Sequence, residues 1–190
     1  MDKSVLLSIR PKWCEKIVNG NKTIEVRKTR PKMNAPFKCY IYCTLPKYPH
    51  EDFIATDYPK PQFYGGGKVI GEFICDQIID AWWDHVPDAI TREVAGGNLE
   101  ALDGTGMTDE ELFSYVGDSM RGHCYGWHIS DLRIYDTPKE LSEFKRATAP
   151  CDSCHAEYTW ECTDCKKLSG DIKRAPQSWC YVEAKHDGTV

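Results

Sequence analysis

No stretch of this 190-residue chain approaches the roughly 18 consecutive apolar residues that a membrane-crossing helix needs. The first apolar run, Val5-Leu6-Leu7-Ser8-Ile9, is too short for the core of a secretory signal. A cytoplasmic protein without a membrane partner is therefore the expectation. Internal repeats and low-complexity tracts are missing as well, which argues against a solenoid. With 41% hydrophobic and 28% charged residues, the chain sits in the ordinary globular range, so wholesale disorder is excluded too. Its length suits a single domain, residues 1–190, with a core of its own.

Charge of one sign is scarce in two places. Residues 76–118 hold eleven acidic side chains and only Arg92 as a basic one. Residues 1–47 reverse this, with eleven Lys and Arg against Asp2, Glu15 and Glu25. A net charge of −5 thus conceals one positive and one negative region. The positive region can hold phosphates; the negative one can receive a protein partner, with Trp82-Trp83 and Asp84 beside it.

Cysteine is not scarce. Five of the ten, Cys14, Cys39, Cys43, Cys75 and Cys124, are scattered among apolar neighbours, and five crowd between Cys151 and Cys180. Without a secretory signal, such a cluster reads as metal ligation rather than disulfides. Cys151-Asp152-Ser153-Cys154 and Cys162-Thr163-Asp164-Cys165 are two C-x2-C pairs, each able to place two thiolates on one tetrahedral ion. Zinc suits four thiolates, and with no open position the site would be structural. His155 and Cys180 are alternatives to Cys165 as fourth ligand. The Cys-rich insertion spans 147–173.

Elsewhere the patterning predicts short strands. Val5–Ile9 is one, stopped by Pro11; Lys12–Asn19 follows as a short helix with Trp13 and Ile17 inward and Gly20 as its C-cap. Thr23-Ile24-Glu25-Val26-Arg27 alternates, with Thr23, Glu25 and Arg27 on one side and Ile24 and Val26 on the other. Cys39–Thr44, Lys68–Ile74, Trp127–Ser130, Leu132–Tyr135 and Ser178–Glu183 complete the strands. Residues 45–67 read as a long loop. Helical pieces are expected within 84–120, one capped by Thr91 and one opened by a capping box at Thr108-Asp109-Glu110-Glu111. A short helix should start at Pro138. Strands outnumber helices without a regular strand–helix alternation, which favours an α+β fold: a small, mostly antiparallel β-barrel with helical insertions and a C-terminal zinc knuckle.

Leu7-Ser8-Ile9-Arg10-Pro11-Lys12 and then Gly20-Asn21-Lys22-Thr23-Ile24-Glu25-Val26-Arg27-Lys28 resemble the ASCH domain of the PUA-like superfamily. Gly20, Lys22, Glu25 and Arg27 match the family's Gly-x-Lys-x-x-Glu-x-Arg element. Tyr40-Ile41-Tyr42, Lys68–Phe73, Gly126–Ile129 and Pro176–Val182 resemble the later strands of ASCH proteins from Gram-positive bacteria and their phages. The resemblance implies a PUA-like barrel whose basic cleft binds RNA or a modified nucleotide, with Arg10, Lys12, Lys22, Thr23, Glu25, Arg27 and Tyr42 as candidate ligand-binding residues. Arg27 can grip phosphate in a bidentate fork. Glu25 can orient Arg27 or accept from a base edge. The plainer alternative is that Glu25 and Arg27 simply pair with each other.

Two other functions remain in view. Some ASCH-like proteins are hydrolases, one group deacetylating acetylcytidine with a Lys and, three residues on, a Thr nucleophile. Lys22 matches that Lys, but Glu25 stands at the Thr position, and a carboxylate cannot form the same acyl intermediate. A ribonuclease would use Lys22 and Glu25, or a histidine such as His123 or His128, as catalytic groups. The third reading is a phage or mobile-element accessory protein that binds a host protein through its acidic face.

Overall fold

A computed structural model describes residues 3–48, 52–55, 63–84, 96–117, 121–147 and 170–184. Its strands are β1 (Lys3–Ile9), β2 (Ile24–Arg27), β3 (Phe37–Cys43), β4 (Phe53–Ile54), β5 (Phe63–Tyr64), β6 (Lys68–Cys75), β7 (Ile78–Asp84), β8 (Gly96–Gly97), β9 (Arg121–His128), β10 (Ser130–Glu140), β11 (Lys145–Arg146), β12 (Gly170–Asp171) and β13 (Trp179–Glu183). Helix α1 spans Pro11–Val18, α2 spans Asp109–Val116, and 3₁₀ turns lie at Leu99–Leu102 and Leu141–Glu143. The chain divides into two compact units: residues 1–15, 37–73 and 132–190, and residues 16–36 and 74–131.

The first unit carries a sheet in the order β10-β6-β3-β1-β13-β11-β12. Strand β1 runs parallel to β3 and antiparallel to β13. Being central, it is buried without interruption from Ser4 to Ile9, as expected of a strand covered on both faces. Each fully buried side chain such as Leu6 or Leu7 contributes roughly 1.5–3 kcal/mol of burial energy. Tyr40, Tyr42, Val69, Tyr135 and Phe144 form the core around Leu6. In the same unit the buried carboxylate of Glu72 accepts a hydrogen bond from Tyr135 Oη at 2.6 Å and pairs with Lys38 Nζ at 3.2 Å.

The second unit carries the antiparallel sheet β2-β9-β7-β8. Strand alternation gives it two unlike faces. Ile24, Val26, Ala81, Trp83 and Cys124 lie on the apolar face and pack with Leu102 and Leu112. Trp83 meets Phe113 with ring centroids 5.4 Å apart. Gly122 stands opposite Trp83 in the register, and a Cβ there would fall inside the indole ring, so only glycine fits. Helix α2 starts on the expected capping box, in which the Thr108 side chain accepts from Glu111 N–H and the Glu111 side chain from Thr108 N–H; it ends at Gly117 with φ +98. Burial pushes the thiols of Cys75 and Cys124 up to about 12 and about 11.

Several expectations are corrected here. Among the described residues the seven-stranded sheet is open, with β10 and β12 at its edges, and does not close into a barrel. Its centre is mixed, because the segment holding α1 and β2 separates β1 from β3 by enough chain for a parallel crossover. Residues 45–67 are not wholly loop, since β4 and β5 pair within them. The helix start at Pro138 is instead strand: β10 continues to Glu140, and only Leu141–Glu143 turns, as 3₁₀. Pairing beside β6 outweighs the local helix preference there. Residues 78–84 form a strand that the sequence reading left unassigned. The Thr91 cap and the four proposed zinc ligands, Cys151, Cys154, Cys162 and Cys165, with His155, lie outside the described residues.

Candidate functional site

The turn after α1 aims Lys22 inward. Gly20 adopts φ +74, and the backbone N–H groups of Asn21 and Lys22 both donate to Lys16 O, at 2.8 and 3.0 Å. Lys22 Nζ then donates to Ile24 O and Thr105 O, each at 2.8 Å, and lies 3.3 Å from Glu25 Oε2. The three ammonium protons therefore meet three acceptors. The carbonyl of Thr105 is in place because the preceding Gly104 O accepts from Thr23 N–H and Ile24 N–H, at 2.8 and 3.1 Å. Gly104 has φ +101, and a side chain there would collide with the Thr23 hydroxyl.

Glu25 is bridged on both sides: Oε2 faces Lys22, and Oε1 lies 3.0 Å from Arg27 Nη2. Lys22, Glu25 and Arg27 are 2%, 6% and 5% exposed, so this is a buried ionic cluster of two cations on one carboxylate. Burial lowers the proton affinity of Lys22 below the ordinary lysine range, and Glu25 partly offsets this. Burial also raises the Tyr115 hydroxyl, whose ring lies 5.6 Å from Lys28 Nζ.

The register places Glu25 opposite Trp127 and Arg27 opposite Tyr125, so the cluster shares the polar face of its sheet with β9. Farther along that face, the guanidinium of Arg30 lies 5.6 Å from the Tyr125 ring centroid, and His123 packs edge-on against Tyr125 at 4.8 Å. His123 Nε2 is 2.5 Å from Asp80 Oδ1, and Arg121 Nε is 2.8 Å from Asp84 Oδ1. Near the other end of β9, His128 Nδ1 is 2.7 Å from Asp76 Oδ1, which holds the Asp76 carboxyl below the usual range. Three carboxylates of the acidic stretch thus each face a base on β9.

Of the seven candidate ligand residues, Lys22, Glu25 and Arg27 come together in this cluster, while Thr23 beside them is exposed. Arg10, Lys12 and Tyr42 belong to the first unit. Arg10 and Lys12 are exposed, the latter 4.5 Å from the centroid of Trp13, and Tyr42 is part of that unit's core. From the sequence Trp82, Trp83 and Asp84 stand together beside an acidic surface; that the β7 aspartates have partners on β9, and that Trp82 alone of the two tryptophans is exposed, emerges from the structure. The alternation Ile78-x-Asp80-x-Trp82-x-Asp84, with Ala81 and Trp83 between, carried that signal.

No curated protein matches the chain. Among solved structures, ASCH from Zymomonas mobilis is similar at 17% identity with a TM-score of 0.47, over 90% of this chain and 98% of that one. Two point variants of that protein give 17% identity and TM-scores of 0.47 and 0.46, over 87% of this chain and 98% and 96% of theirs. No helix among the described residues is long and apolar enough to cross a membrane. The segment that builds the end of β1, all of α1 and β2 and most of β3, and with them the Lys22–Glu25–Arg27 cluster, falls inside residues 7–42, which match the ASCH domain.

Proposed function

We propose that this protein binds RNA, or a modified nucleotide within it, with Lys22, Glu25 and Arg27 as the fixed polar floor of the site. The observation that carries this reading is the buried cluster itself, which lies within the ASCH match. Three charged groups withdrawn from water are costly to a fold, and replacement by apolar residues is often neutral or stabilising. Such a cluster is better explained by a site whose charge must be held in place before a ligand arrives.

Binding is favoured over hydrolysis. The ammonium protons of Lys22 are matched by Ile24 O, Thr105 O and Glu25, which suits a positioning group better than a proton donor or nucleophile. Binding of a host protein through an acidic face gains less support, because Asp76, Asp80 and Asp84 each face a basic partner.

The test is a titration of short single-stranded RNA and a modified-nucleoside panel at two salt concentrations. The wild type should bind, with affinity falling as salt rises. Arg27→Lys, verified as folded by circular dichroism, should lose at least about ten-fold, because an ammonium cannot reproduce the guanidinium fork. A folded wild type that binds no member of either set would sink the reading.

A further inference from the structure

Beyond the buried cluster, the polar face of the second unit's sheet ends in an exposed aromatic. Trp82 is 47% exposed, whereas its neighbour Trp83 is core at 2%. Strand alternation separates them, and the register sets Trp82 directly opposite His123. The strand beneath Trp82 is held from its far side by Asn98, whose amide oxygen accepts from Trp82 N–H at 2.9 Å and whose amide nitrogen donates to Asp80 O at 2.8 Å. That side chain continues the ladder where β8 ends, so the ring stands on fixed backbone. Trp82, Asp84, Arg121 and His123 of this face, with Trp83 and Gly122 of the other, line a shallow depression of about 510 Å³ where β7 ends and β9 begins.

The company Trp82 keeps argues about its occupant. Its register neighbours on this face are Asp80, Asp84, Arg121 and His123, with the Tyr125 ring diagonal to it. A protein-docking centre would ring the tryptophan with apolar surface. A nucleobase needs only one flat face to stack on, with polar groups for its edge and phosphate. His123 is oriented by Asp80, and Arg121 and Arg30 supply exposed cations, the latter above Tyr125.

Distance links this face to the cluster. From the Glu25–Trp127 pair to the Trp82–His123 pair is four residues along β9, roughly 13 Å at strand rise. One nucleotide cannot occupy both ends, but a strand of several can.

We propose that the outward face of β7 and β9 is a second subsite on which Trp82 stacks a base flanking the one held at Lys22–Glu25–Arg27, so that the ligand is a single strand rather than a free nucleotide. This rests on the reading of the cluster as a nucleotide site. A duplex is disfavoured, because its bases are already stacked and cannot present a face to the indole.

The test compares a mixed-sequence ten-nucleotide single-stranded RNA, the same sequence as a duplex, and a mononucleotide, each against the wild type, Trp82→Ala, Trp82→Phe and Arg27→Lys. The wild type should prefer the single strand to both other ligands. Trp82→Ala should weaken the ten-mer about ten-fold, more than it weakens the mononucleotide, and Trp82→Phe should recover most of the loss. Ten-mer affinity unchanged in Trp82→Ala but lost in Arg27→Lys would overturn the second subsite and leave the cluster standing. The reverse pattern would leave the stacking face and remove the cluster. If the folded wild type binds none of the three but self-associates in a Trp82-dependent way, the face is a protein contact and this proposal fails.

Discussion

Opposite charges meet at both ends of one sheet face in the second unit, yet in different surroundings. At the β2 end, Lys22, Glu25 and Arg27 are at most 6% exposed, and every charge is held by another or by a backbone carbonyl. At the β7 end, the Asp84–Arg121 and Asp80–His123 pairs have side chains roughly half exposed or more. Water screens the second set and hardly reaches the first. The difference teaches what each set can be for. Buried charges cannot rearrange cheaply, so they fix geometry; exposed ones can trade a carboxylate for a phosphate with little cost to the fold.

The sharpest way to break this comparison is to remove the shared carboxylate. Glu25→Ala leaves two cations buried on each other, and the expected loss is about 3–5 kcal/mol in urea unfolding. A loss under about 1 kcal/mol would show that water already enters the cluster.

A smaller effect should appear in the pH dependence of stability. Lys22 holds its proton less tightly when folded than its ordinary 10.5, chiefly because burial disfavours the charge. Between the lowered value and 10.5 the unfolded chain binds more protons than the folded one, so this group's contribution to unfolding free energy rises with pH. The penalty is present in full below the lowered value and gone above 10.5. Lys22→Met should flatten that rise, measured as unfolding free energy from pH 7 upward. An unchanged slope would place the lysine's proton in water-like surroundings.

The smallest effect belongs to the exposed end. Asp84→Ala should change stability by no more than about 1 kcal/mol, since the pair with Arg121 is open to solvent. A cost comparable to that at Glu25 would erase the contrast between the two ends.

Much of the cluster was legible beforehand. The Gly20-x-Lys22-x-x-Glu25-x-Arg27 spacing placed a turn before a strand, and alternation put Glu25 and Arg27 on one side. The carbonyls that hold Lys22 were not readable, because Thr105 is more than eighty residues away and carries no pattern pointing there. Tyr42 is a ligand candidate through the family resemblance, and nothing local reveals that its strand is interior to the sheet and its ring part of the core. Strand β7 was obscured by its charges. Asp80 and Asp84 made residues 76–118 read as an acidic surface, although their partners stand across the ladder on β9. The parallel β1–β3 pair was hidden for a related reason, since no strand announces its neighbour's direction.

Gly122 and Trp83 occupy each other's space: the indole fills the volume that any side chain at 122 would need. Among descendants of this sequence the two positions are therefore not free to drift separately. A larger residue at 122 should arise only after, or together with, a smaller ring at 83, and that paired history would be visible as covariation in an alignment.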